Sequence, residues 1–144
     1  MKITPLEKRI IGALLDGDDP TLSRLREQYA LAMVITRDFT GCGFFTHFCV
    51  PDTASRVTPP SFVVNDIFLE VRGTENGASA LLFIRDGLID FLEVVATTGD
   101  WPQNPEITSI QSFHRKGIRG TVKELVPQQR RDLDVIRRAW KRTK

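Results

Sequence analysis

Residues 79–96 read SALLFIRDGLIDFLEVVA, two apolar runs on either side of Asp86-Gly87. That dipeptide supplies the positive φ that a two-residue turn needs, so the stretch predicts a tight antiparallel hairpin. With such a turn, Ile84 faces Ile89, Leu82 faces Phe91 and Ala80 faces Glu93 on one side. The other side pairs Arg85 with Leu88, Phe83 with Asp90 and Leu81 with Leu92. Both sides are largely apolar. A hairpin with one wet face alternates apolar and polar, so this one predicts the centre of a sheet covered on both faces, by helices or by another chain.

Upstream, Thr4-Pro5-Leu6-Glu7 is helix-start chemistry, with Thr4 as N-cap, Pro5 in the first turn and Glu7 placed to reach back to the cap. Leu6, Ile10, Ile11, Leu14 and Leu15 follow at helical spacing, and Gly17 can close the helix. Asp19-Pro20 starts a second helix, with Leu22, Leu25, Tyr29 and Ala32 on one stripe. From about Leu31 the period changes to that of a strand. Phe39 to Phe44 reads as a glycine-bearing turn into a strand whose Phe44, Thr46, Phe48 and Val50 share one side, with Phe45, His47 and Cys49 on the other. Residues 51–60 form a proline-rich loop. In the next strand, 62–72, the alternation puts Val63, Ile67, Leu69 and Val71 on one face and Phe62, Val64, Asp66, Phe68, Glu70 and Arg72 on the other. Residues 107–113 form a last strand. The expected fold class is α+β: two N-terminal helices packed on an antiparallel sheet of about five or six strands, plus a basic C-terminal helix.

The composition, 41% hydrophobic and 26% charged over 144 residues, is that of a globular chain able to bury a core. Two cysteines are too few for a disulfide scaffold, and no apolar run approaches the roughly 20 residues of a membrane span. Neither a transmembrane segment nor a signal peptide is read, so the expected location is cytoplasmic. The net charge of +2 conceals a division. Residues 1–114 hold 9 Lys and Arg against 15 Asp and Glu, a net −6, whereas 115–144 hold 11 against 3, a net +8. The chain therefore divides into an α+β domain, 1–114, and a basic linker with C-terminal helix, 115–144. Pro127 can open that helix, and Leu133, Ile136 and Trp140 form a narrow apolar stripe among Arg130, Arg131, Arg137, Arg138, Lys141 and Arg142.

Three groups of residues together, Phe39-Thr40-Gly41-Cys42-Gly43-Phe44-Phe45, Leu82-Phe83-Ile84-Arg85-Asp86-Gly87 with Asp90, Leu92 and Glu93, and Trp101-Pro102, resemble a group of small uncharacterised bacterial proteins. In that group an F-T-G-x-G-F-F segment precedes a strand, and an L-F-x-x-D-G-x-x-D-x-L-E hairpin precedes a W-P turn. The resemblance spans roughly residues 20–113 and implies a bacterial source and a shared α+β fold, not a reaction.

Several residue sets carry candidate chemistry. Cys42, His47 and Cys49 hold thiol and imidazole groups near one another in sequence, but zinc needs four ligands and a second close pair is missing, so no metal or other cofactor is expected. Cys42 in its glycine-rich turn is a conceivable nucleophile with His47; the plainer reading makes both structural. Glu93, expected on the apolar side of the hairpin, and the acidic trio Asp66, Glu70 and Asp90 are candidates for acid/base work or for an acidic binding face. Trp101 is either a structural anchor or a binding-surface aromatic. The basic helix can contact nucleic-acid phosphates, or dock Leu133, Ile136 and Trp140 on the second apolar face of the sheet with its arginines meeting Asp66, Glu70 or Asp90. The expected function is that of a non-catalytic bacterial binding protein acting through protein–protein contacts, with a protein partner or as a homodimer, in an immunity- or antitoxin-like role. A nucleic-acid-binding accessory protein and a small hydrolase using carboxylates or Cys/His are the alternatives.

Overall fold

The computed structural model describes residues 1–118, 121–128 and 131–142, with side chains through 113 and from 131 to 141. Helices α1 (Pro5–Leu14) and α2 (Pro20–Leu31) precede strands β1 (Met33–Phe39), β2 (Gly43–Cys49), β3 (Phe62–Arg72), β4 (Ala78–Arg85), β5 (Leu88–Ala96), β6 (Glu106–Ile118) and β7 (Thr121–Gln128). Helix α3 (Leu133–Arg142) closes the described chain. The strands form one antiparallel sheet in the order β1-β2-β5-β4-β3-β6-β7. The α+β class and the two N-terminal helices on the sheet are as expected. No helix of the described residues is long and apolar enough to cross a membrane.

The local start signals act as read. Thr4 Oγ1 accepts the Glu7 N–H at 3.1 Å while Glu7 Oε1 accepts the Thr4 N–H at 2.8 Å, a reciprocal cap on α1. Asp19 Oδ2 accepts the Leu22 N–H at 2.9 Å at the head of α2. Asp86 and Gly87 both have positive φ, 53° and 78°, which matches the twist of the strands they join. Buried Gln28 of α2 holds that turn in place: its amide donates to Ser55 O and Gly87 O at 2.8 and 2.9 Å and accepts from Ile89 N–H at 2.9 Å.

Two bulges correct the expected faces. Beyond the turn Ile84 pairs with Ile89 as read, but Asp90 is an extra residue, so Phe83 pairs with Phe91, Leu82 with Leu92, Leu81 with Glu93 and Ala80 with Val94. Glu93 therefore lies on the side opposite Leu82 and Ala80. In β3 the register shifts between Val64 and Ile67. Phe62 and Val64 consequently share the buried side with Ile67, Leu69 and Val71 instead of opposing them. A one-residue slip moves every later side chain to the other face, and strict alternation read from sequence has no means of marking it.

All three helices cover a single face of the sheet: α1 lies over β3, β4 and β6, α2 over β5 and α3 over β3. One core joins Ile10, Ile11 and Leu14 of α1 and Leu22 and Leu25 of α2 to Leu69, Leu82, Leu92 and Val94 of the strands. Ala78 and Ala80, both fully buried in β4, leave room for α1.

The basic C-terminal segment is built differently from its expectation. Residues 115–118 continue β6 across the proposed 114/115 boundary instead of forming a linker, and Pro127 lies in edge strand β7, paired with Phe113. The helix begins at Leu133, six residues later than Pro127 would start it. It docks on its own body, but on the face already occupied by α1 and α2 and not on the second face. Ile136 and Trp140 are buried, and Trp140 stacks obliquely on Phe62 with ring centroids 4.9 Å apart. Gly17, at φ +138°, makes space for Leu133, whose Cδ2 would lie 2.8 Å from a Cβ placed there. Arg131 grips Asp66 with two bonds of 2.6 and 2.8 Å and donates to the last carbonyls of the α1 end, Asp16 O at 2.7 Å and Ala13 O at 3.2 Å. Removing one partner of a buried ion pair leaves the other charge without compensation. Asp66→Ala is expected to lower the unfolding free energy by about 3 kcal/mol, read as a lower urea midpoint at unchanged slope.

Candidate functional site

With the helices on one side, strands β2, β5 and β4 turn a row of rings to the other. His47, Phe91, Phe83 and Val63 are successive cross-strand neighbours on β2, β5, β4 and β3. Phe83 stacks on Phe91 at 4.3 Å and 16°, and Phe91 lies 5.5 Å from the His47 ring and 5.8 Å from Phe45. The next row is Phe45, Glu93 and Leu81. These side chains are half-buried by one another and covered by no helix of the described residues. The neighbouring edge strand β1 carries exposed Met33 and, at its bulge, exposed Ile35, at 71% and 55% accessible. The apolar character of both hairpin faces thus corresponds to one core face and one open aromatic face.

The candidate residues divide around this surface. His47 belongs to the aromatic row, with Nε2 3.4 Å from Asp38 Oδ2. Glu93 stands half-exposed among the rings. Cys42 is exposed in the β1–β2 turn, its thiol 3.7 Å from Thr40 Oγ1, and Cys49 is exposed at the far end of β2. No nucleophile–base pair is assembled from them, and the described residues hold no group of three or more His, Cys, Asp or Glu able to bind a metal. The acidic trio is not one face: Asp66 is buried behind the sheet on Arg131, Glu70 is exposed, and Asp90 at its bulge lies 3.3 Å from Arg85.

The basic helix likewise uses its charges internally. Arg131 is held by Asp66, and Arg137 by Asp19 and by Asp134, the latter at 2.9 Å. Arg138 donates to Asp134 O at 3.3 Å, Lys141 is exposed, and Trp140 is in the core. Arg130 lies outside the described residues, and Arg142 is described only as the last residue of α3.

Trp101 leads to a second feature that the sequence reading missed. Its N–H donates to Gly41 O at 2.8 Å, and its ring meets Phe44 edge-on at 5.6 Å. It forms one wall of a cleft of about 390 Å³ between the start of α1, the β1–β2 turn and residues 101–105. At its base fully buried Glu7 receives Arg37 Nε and Nη2, each at 2.7 Å, the Thr4 N–H at 2.8 Å and the Thr46 hydroxyl. Glu7 was legible as a helix cap, but nothing local connects it to Arg37, 30 residues away, or to Thr46. Burial pushes the Glu7 carboxyl up, yet the hydrogen bonds from Arg37, Thr4 and Thr46 and the Arg37 charge together hold it below its ordinary 4.5. Tyr29, its hydroxyl buried without a hydrogen-bond partner among the described residues, is pushed up by burial and by the Glu7 charge, so it stays neutral.

Because the folded Glu7 carboxyl is the stronger acid, its stabilising effect is complete above 4.5 and is lost as pH falls through the depressed folded value. Glu7→Gln is expected to cost about 3 kcal/mol at pH 7. Urea unfolding from neutral to strongly acidic pH should show the gap between variant and parent narrowing only below pH 4.5. Compared with known proteins, the chain matches no family model, no curated protein and no solved structure, so its functional reading rests on this geometry.

Proposed function

We propose that the protein is a non-catalytic binding protein that acts by protein–protein contact through the open aromatic face of its sheet. The immunity- or antitoxin-like role, in which one small protein occludes another, is the kind of activity such a surface serves. The observation that carries the reading is the one-sided placement of the helices, which leaves Phe45, His47, Phe83 and Phe91 clustered and half-exposed. Aromatic clusters of this kind supply the anchors of protein interfaces, and Glu93 among them provides a polar check on the partner.

Five strands spaced about 4.8 Å apart, each about eight residues of roughly 3.3 Å, give a face of roughly 600 Å² in plan. Side-chain relief brings that to the order of the roughly 800 Å² that each partner contributes to a stable interface. A phosphate-binding role for α3 is less well supported, because Arg131 and Arg137 are engaged by Asp66 and Asp19. A hydrolytic role lacks an assembled pair of catalytic groups among the described residues.

A photo-crosslinking residue in place of Glu93, expressed in the source organism, should join the protein to one defined partner chain. The same group in place of exposed Arg24, on α2 and so on the helical side, should not. Phe91→Asp is expected to abolish the crosslink and weaken the contact at least tenfold, about 1.4 kcal/mol or more, with the circular dichroism spectrum unchanged. Equal crosslinking from both positions, or none from position 93, would remove the open face from consideration.

A further inference from the structure

The cleft beside Trp101 lies on the helical side of the sheet and is independent of the open face. From its donors and acceptors we infer that it is a binding site for a small apolar carboxylate. Its volume, about 390 Å³, falls within the roughly 300–1,000 Å³ of small-molecule sites. Its walls are Leu6, Phe39, Phe44, Trp101, Pro102 and Pro105, of which Phe44 and Trp101 are fixed in advance. Phe44 is core, with Phe39 at 6.0 Å and Trp101 at 5.6 Å from its ring, and the Trp101 main chain is tied to Gly41.

The polar floor selects the head group. Glu7 has no acceptor capacity left, since Oε1 takes the Thr4 N–H and Arg37 Nη2 while Oε2 takes Arg37 Nε and the Thr46 hydroxyl. Arg37 is in the opposite condition. Its Nε and Nη2 are used by Glu7 and by Lys2 O, but Nη1 makes no hydrogen bond among the described residues, in a side chain only 16% exposed. The Trp101 indole N–H is likewise without an acceptor. Both nitrogens are open to solvent, so at a cleft walled by aromatic and proline surfaces a group that only accepts can replace their water. A carboxylate on an apolar body meets both demands. An ammonium on the same body would face Arg37 and a saturated Glu7, with only the neutral oxygens of Thr4 and Gln103 as side-chain acceptors in the cleft.

The test uses 2-naphthoate as probe and 2-naphthylmethylamine as its cationic counterpart, added to the ¹⁵N-labelled full chain. The naphthoate should shift the Trp101 indole resonance saturably, with half-saturation below about 1 mM, and leave that of Trp140 in place. The amine should shift neither. Phe39→Ala, at a position 71% exposed and so dispensable for folding, should weaken naphthoate binding severalfold. Arg37→Lys, which keeps the charge beside Glu7 but loses the planar fork, should weaken it about tenfold while leaving the weak binding of neutral 2-methylnaphthalene unchanged. Equal shifts from the acid and the amine would reduce the cleft to an indifferent apolar surface. An unmoved Trp101 at the solubility limit of the acid would overturn the site altogether.

Discussion

A carboxylate taken out of water costs several kcal/mol unless a cation and further donors replace its hydration, and three such groups fix how this chain closes on itself. Glu7 on α1 is matched by Arg37 of β1, Asp66 of β3 by Arg131, and Asp19 at the head of α2 by Arg137 of α3. Each pair ties a helix or its flank to a different part of the structure. The apolar stripes alone, which are tolerant of sliding and rotation, would allow several placements of the helices on the sheet. Paired charges with forked geometry allow far fewer.

The same pairs join the two oppositely charged parts of the chain. The net negative body and the net positive C-terminal segment are complementary parts of one fold, since two arginines from the segment neutralise Asp66 and Asp19. Arg131 has a further function, because its Nη1 donates to Ala13 O in the last turn of α1 and to Asp16 O just beyond it, which ties the segment to that helix end. Through Arg131 and Arg137 the basic stripe clamps the helical layer.

Gathering the helices on one side has the consequence on which the proposed function rests. Helix α3 adds to the covered face and leaves the opposite face of β2, β5 and β4 as a bare aromatic surface. The cleft arises at the corner of the covered side, where the Glu7–Arg37 pair brings a charged floor under Phe44 and Trp101. Two surfaces with different chemistry therefore coexist: a broad one suited to another protein and a small one suited to a compact ligand. They are on opposite sides of the sheet, so occupation of one does not obstruct the other.

The sequence alone determined what depends on a few adjacent residues: the Thr4 and Asp19 caps, the positive φ at Asp86-Gly87, the alternation of β2, and hence the α+β class. Those signals act over three or four positions, where side chain and backbone meet regardless of the rest of the chain. Tertiary structure decided the rest. The extra residues in β3 and β5 moved Asp66 and Glu93 to the faces opposite those their spacing implied, because a bulge is set by what the neighbouring strand and the helices require. The charge pairs join residues 30, 65 and 118 positions apart, and no local pattern distinguishes these arginines from the others. Which face α3 would cover, and therefore which face stayed open, was settled only when buried charges far apart in sequence found their partners.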